Sequence, residues 1–269
     1  MNHHPTNPTR RSPRVGRLRP AAALLLAVAG LGTACSLPGA APGTGGAPPP
    51  AEAAAPTTRP ADIGEPAASR AIVITDEVEV RDRPGGEVTA TLSNRTDFGS
   101  TRVLLVEDRR DDWVQIRLPL RPNHQTGWVP ASAVTVEELD VTVEISLSER
   151  TLAVVENGRT VLETPVAVGA GDNPTPPGTF FVTDKLESPS PDGAYGPYAL
   201  GLSGYSDTLT EFAGGNGQIG LHGTNDPDSI GRAVSHGCIR VPNSVISELA
   251  QRLPLGTPVI IGTDADRGA

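Results

Sequence analysis

The chain is short of cysteine, lysine and long apolar runs, and each shortage removes a class of protein. Two cysteines, Cys35 and Cys238, occur among 269 residues, too few for a disulfide framework. Lysine occurs once, at Lys185. The apolar stretch AAALLLAVAGLG holds 12 residues, whereas roughly 18 or more are needed to cross a bilayer as a helix. No histidine follows Cys238, which excludes the papain-like order of a nucleophilic cysteine followed by its base; the caspase signature is missing as well.

What precedes the apolar stretch is basic. Arg10, Arg11, Arg14, Arg17 and Arg19 lead into it, no acidic residue occurs before Cys35, and Thr33 and Ala34 are small. Residues 1–34 therefore read as a secretory signal peptide. The 22 basic residues less the five in the leader leave 17 against 31 acidic ones, a formal charge of −14. Such a chain lacks the clustered cations that neutralise phosphates, so nucleic acid is excluded as a partner. Cys35 at the end of the leader resembles the lipobox of bacterial lipoproteins, although Gly32 stands where that motif usually has leucine. The resemblance implies lipidation of Cys35 and an exported protein of the cell envelope, lipid-anchored to the outer face of the cytoplasmic membrane. The alternative is an ordinary secreted protein.

Residues 35–69 are a Pro/Ala/Gly-rich stretch with almost no large apolar side chain; they read as a disordered linker, because little surface is available to offset the entropy of ordering. Its reach is about 30 Å as a coil and up to about 100 Å if extended. Residues 70–137 contain short alternating segments (AIVITDEVEVRD, RVLLVEDRRDDWVQIRL, QTGWVPASAV) broken by RPGG and RPNH, the pattern of a small all-β barrel. They resemble bacterial SH3-like domains. Trp113 and Trp128 are either core residues or part of a binding groove, and His124 reads as a solvated loop histidine.

Residues 138–264 form the second domain. VTVEISLSERTLAVVENGRTVLETPVAVG predicts three antiparallel strands, with further strands at GTFFVTD, YALGLSG and TPVIIG. Helical pattern is scarce: one helix is expected over 244–253, capped by Asn243 or Ser244, and a short one from Pro227. The fold class is mainly β, an SH3-like barrel followed by a mostly antiparallel β-sandwich with one or two short helices.

Chemistry concentrates in IGLHGTNDPDSIGRAVSHGCIRVPN, residues 219–243. His222 ends an apolar strand, and SHGCIRV turns back into another, which lets Cys238 face it. A thiol attacks only as thiolate and needs a base or cation beside it. With Cys35 lipidated or cut away, Cys238 has no disulfide partner, and a lone extracellular thiol among histidines points to catalysis. Two other readings stay open on the residues alone: a buried cysteine that merely packs, and a zinc site made of His222, His236 and Cys238.

The order histidine, twelve residues, Ser235, His236, Gly237, Cys238, Ile239, Arg240 resembles the motif of the L,D-transpeptidase (YkuD-like) family, and the likeness extends through DNPTPPGTFFVTD and YGPYALGLSG over about 138–262. Arg240 replaces the asparagine of one large subgroup. The resemblance implies a cysteine acyltransferase acting on peptidoglycan stem peptides. Cys238 would be nucleophile and His222 its base, with the Gly223 carbonyl fixing the tautomer, backbone N–H groups around Gly237 and Cys238 facing the oxyanion, and His236 lining the pocket or supporting Cys238; the sequence alone does not separate the two histidines as base. Neither a metal nor a cofactor is called for, and carbapenem-type inhibitors, as acylating mimics of the stem, are expected to add to Cys238. Arg240 is a candidate clamp for a substrate carboxylate or a structural ion pair. Ser235 serves the loop or the substrate, and Tyr198 and Phe212 are candidates for substrate contact or core packing. An inactive wall-binding lipoprotein, and transfer of the acyl group to water or a D-amino acid, are the alternative functions.

Overall fold

The computed structural model describes residues 68–211 and 215–263; the leader, Cys35, the linker up to residue 67 and Phe212 lie outside them. All described residues belong to one compact unit. The chain first lays down β1 (Ala68–Val73), β2 (Glu77–Arg81), β3 (Val88–Ser93), β4 (Val103–Arg110), β5 (Trp113–Arg117), β6 (Thr126–Pro130) and β7 (Val134–Leu139). They pair antiparallel in the order β3-β2-β6-β5-β4-β1-β7. Alternation does the work expected of it: Val78 and Val80 of β2, and Val114 and Ile116 of β5, turn inward with Leu104 and Val129 to make a core.

Asp140 alone separates this sheet from the strands of the second half, β8 (Val141–Ser146), β9 (Thr151–Glu156), β10 (Arg159–Pro165), β11 (Val168–Gly169), β12 (Gly178–Glu187), β13 (Tyr198–Tyr205), β14 (Gln218–His222), β15 (Ala233–Ser235), β16 (Ile239–Arg240) and β17 (Pro258–Gly262), which carry, among the described residues, one α-helix, α1 (Asn243–Arg252), and the expected short helix from Pro227 as a single 3-10 turn, Pro227–Ser229. The eight-stranded sheet runs β10-β9-β8-β17-β12-β13-β14-β16, and β11 pairs with β15 apart from it. The chain is mainly β, and most of its pairings are antiparallel. The return strand departs from expectation: β16 runs parallel to β14, not back along it, because the crossover through residues 223–238 is long enough to carry the chain back to the starting end of β14.

α1 starts one residue before the expected helix, with Pro242 at the cap position and no side-chain cap. Asn243 cannot cap because its Oδ1 already accepts from the Thr224 N–H at 2.8 Å. Ile246 and Leu249 point into the core, and the turn ends at Leu253 before Pro254.

Strand β12 is a shared wall. Successive side chains on a strand face opposite ways, so Phe180 enters the core of the second sheet while Phe181, fully buried, enters that of the first. Side chains add to this seam. Arg70 donates to Leu255 O at 2.8 Å, the Tyr205 hydroxyl to Pro119 O at 3.1 Å, and Arg121 to Ser206 O at 2.7 Å while lying over the Tyr205 ring. His124, expected to be a solvated loop residue, is exposed, and its ring lies 5.4 Å from that of Phe180. Trp128 is buried, under the Arg110 guanidinium, and Trp113 is half-buried.

Candidate active site

The site is built where β14 ends. Parallel pairing sets Leu221 beside Ile239 and His222 beside Arg240, so Cys238, one residue before β16, falls level with Gly220. The Gly220 backbone hydrogen-bonds the thiol. The structure thus brings His222, Cys238, Ser235, His236 and Arg240 around one cavity of about 250 Å³, and a groove of about 490 Å³ also reaches His222 and Cys238.

The loop bearing the thiol is pinned by two hydroxyl side chains. The Ser235 hydroxyl donates to Cys238 O at 2.5 Å and accepts from the Gly237 N–H at 3.2 Å. Thr175, on the segment before β12, donates to Gly237 O at 2.9 Å and accepts from Gly169 N–H at 2.8 Å. Gly237 sits at φ +115, a conformation that a residue with Cβ adopts only under strain.

His222 is buried, and its Nδ1–H donates to Gly223 O at 2.6 Å. That bond fixes the tautomer and leaves Nε2 as an acceptor. Burial dominates its titration: against the Gly223 bond, and with help from the Arg240 charge, it brings the pKa from 6.5 down to about 4. The ring is therefore neutral at pH 7. Burial also pushes the half-buried Cys238 thiol up, opposed by the Gly220 backbone hydrogen bond and by the Arg240 charge. At rest the pair is thiol and imidazole, not thiolate and imidazolium. Nucleophile formation then requires proton transfer to Nε2 during attack.

Arg240 is the cation of the cavity. Its Nε is buried with no hydrogen-bond partner, and among the described residues no carboxylate pairs with it, so the guanidinium can meet an anion entering the pocket. His236 is exposed at the mouth. Among the described residues no group of three or more His, Cys, Asp or Glu side chains is placed to hold a metal ion.

Tyr198 goes elsewhere. Its ring packs on the core of the second sheet, and its carbonyl accepts from Gly223 N–H at 3.4 Å. The aromatic residue at the site is Tyr195, whose ring lies 4.7 Å from that of His222 and lines both cavities. Burial and the neighbouring Cys238 raise its phenol. Tyr195 reaches the site because Gly196, at φ +64, crosses Gly223 backbone to backbone; a Cβ at 223 would run into Asn243 Oδ1 and approach Gly196 Cα to 3.0 Å. The sequence holds one signal for this crossing, the glycines that bracket Tyr195 at 193 and 196. Thr175 and Asn243 carry none.

Comparison with known proteins places residues 140–261 on the model of the L,D-transpeptidase catalytic domain (YkuD). The YkuD protein of Bacillus licheniformis, which carries an L,D-transpeptidase name, is 41% identical over 119 residues, 44% of this chain and 64% of that protein. Its namesake in Bacillus subtilis (strain 168) is 33% identical over 150 residues, 54% of this chain and 83% of that one. This chain thus spans less than two thirds of the first and most of the second. Among solved structures, L,D-transpeptidase 3 from Mycobacterium tuberculosis in complex with a faropenem-derived adduct is 19% identical, with 53% of this chain and 75% of that chain covered and a TM-score of 0.39.

Proposed function

Because the chain belongs to the L,D-transpeptidase (YkuD) family, we propose that it joins peptidoglycan stem peptides through a thioester on Cys238. The observation that carries the reading is the pairing of a neutral, tautomer-fixed His222 with the Cys238 thiol beside a guanidinium that has no protein partner at Nε. In the first half-reaction His222 Nε2 takes the thiol proton as sulfur attacks the carbonyl of the third stem residue. The peptide bond to the terminal D-Ala breaks, the imidazolium returns its proton to the departing amine, and free D-Ala leaves. In the second half-reaction the amine of another stem attacks the thioester, its proton passes to His222, and the thiol is restored.

Arg240 would hold the carboxylate of the donor stem while the thioester forms. Of the two backbone donors considered for the oxyanion, Gly237 N–H is directed at Ser235 Oγ, which leaves the Cys238 N–H for the developing charge. A donor so placed contributes about 3 to 4 kcal/mol in other acyl-transfer sites. Residues 1–34 and Cys35 would anchor the chain to the outer membrane face, the linker would carry it to the wall, and the SH3-like first sheet would orient the catalytic domain. A carbapenem, an acylating mimic of the stem, would add to Cys238. The test is product analysis with a tetrapeptide stem, for wild type and Cys238→Ala. Joined stems with equimolar D-Ala, absent in the variant, are expected; shortened stem alone would replace transfer by hydrolysis, and no product from either would leave a binding module.

A further inference from the structure

The groove of about 490 Å³ at Cys238, which Arg240 does not line, is not made by the second sheet alone. Phe98, from the β3–β4 connection of the first sheet, also lines it. That connection is a tight, fully accounted turn. Gly99 N–H donates to Thr96 O at 2.9 Å, Thr96 N–H to Ser100 O at 3.0 Å, and Gly99 sits at φ +83, which is the pattern of a type I turn closed by a glycine bulge. Arg95 and Arg102 tie its arms, donating to Gly99 O and to Ser93 O and Arg95 O. The Thr96 hydroxyl bonds the buried Asp184 of β12 at 2.5 Å. A turn held this firmly against the catalytic domain places Phe98 at a fixed point, yet the ring is 58% exposed. Fixing a large apolar side chain in water gains the fold nothing; it gains a ligand a preformed wall.

The charged side chains of the two cavities that share Cys238 differ in sign. Arg240 lines the smaller cavity, whereas Glu187 is the one acidic side chain among the described residues that line the groove, together with Phe98, Tyr195 and the glycines Gly201, Gly217 and Gly220. A cation suits the stem that brings a carboxylate, and an acid suits the stem that brings an amine. We propose that Phe98 is a substrate-contacting residue supplied by the first sheet to the acyl-acceptor stem, so that this sheet takes part in choosing the acceptor. The inference rests on the transpeptidase reading above.

The test uses the full chain with saturating tetrapeptide donor and a varied stem acceptor, following both the Cys238 thioester by intact mass and the joined product. Phe98→Ala is expected to raise the acceptor KM about tenfold, equivalent to about 1.4 kcal/mol, and to lengthen the life of the thioester, because the acceptor no longer relieves it. Phe98→Tyr should restore the wild-type values. An unchanged acceptor KM in Phe98→Ala would overturn the inference, as would loss of thioester formation in that variant, since the ring would then be serving the fold. Absence of any thioester in the wild type would instead overturn the transpeptidase reading itself.

Discussion

His222 titrates far below an ordinary histidine, and both reactivity and stability should follow it. The drop from 6.5 to about 4, at about 1.36 kcal/mol per pKa unit, amounts to about 3 kcal/mol. Between those pH values the unfolded chain binds a proton that the folded chain refuses. The folded state therefore keeps its full stability above pH 6.5 and loses about 3 kcal/mol as pH falls to about 4. Urea unfolding of the wild type and His222→Gln at pH 7 and pH 4 measures this directly: the wild type should lose more, by about that amount, because glutamine takes up no proton. The same shift sets the acid limb of reactivity. At pH 5.5 about 97% of His222 is still a free base if its pKa is about 4, against about 9% if it is 6.5. Carbapenem acylation of Cys238 should thus be nearly as fast at pH 5.5 as at pH 7.5. An acid midpoint near 6.5, with no difference in the pH slope of stability between the two proteins, would refute the reasoning and return His222 to a solvated environment.

Removing the charge in Arg240→Gln should raise the His222 pKa, moving the acid limb of acylation to higher pH, and should raise the KM for a stem with a free carboxylate more than for its amide. Thr175→Val, which keeps the shape and removes the hydroxyl, strands Gly237 O and Gly169 N–H and should cost about 1 to 3 kcal/mol in urea unfolding, with a fall in kcat. Phe181→Ala empties the centre of the first core from a strand of the second sheet and should destabilise by about 3 to 5 kcal/mol, with both sheets lost in one transition. Gly223→Ala should abolish acylation by pushing Asn243 and Gly196 apart, checked by intact mass after carbapenem exposure.

What could be read from the sequence is what short-range pattern encodes. Alternation marked the strands, Pro254 the end of α1, and the spacing from His222 to Cys238 marked two residues that the structure sets at one cavity. Long-range geometry was not legible. Nothing near Asn243 says that its side chain is spoken for by Thr224, so the expected cap moved to Pro242. Tyr198 and Tyr195 look equivalent in the stretch GAYGPYAL, yet only the crossing of Gly196 over Gly223 decides which ring meets His222. The shared wall at Phe180 and Phe181, and the turn that carries Phe98, depend on how two sheets meet, and no local periodicity reports that.

The measurement that bears most directly on the central claim is rapid-quench intact-mass spectrometry of the full chain mixed with a tetrapeptide stem alone. The account predicts a transient adduct on Cys238 with the mass of the stem less D-Ala, formed in step with D-Ala release and absent in Cys238→Ala. Stem cleavage that proceeds without an adduct, or equally in Cys238→Ala, would contradict it.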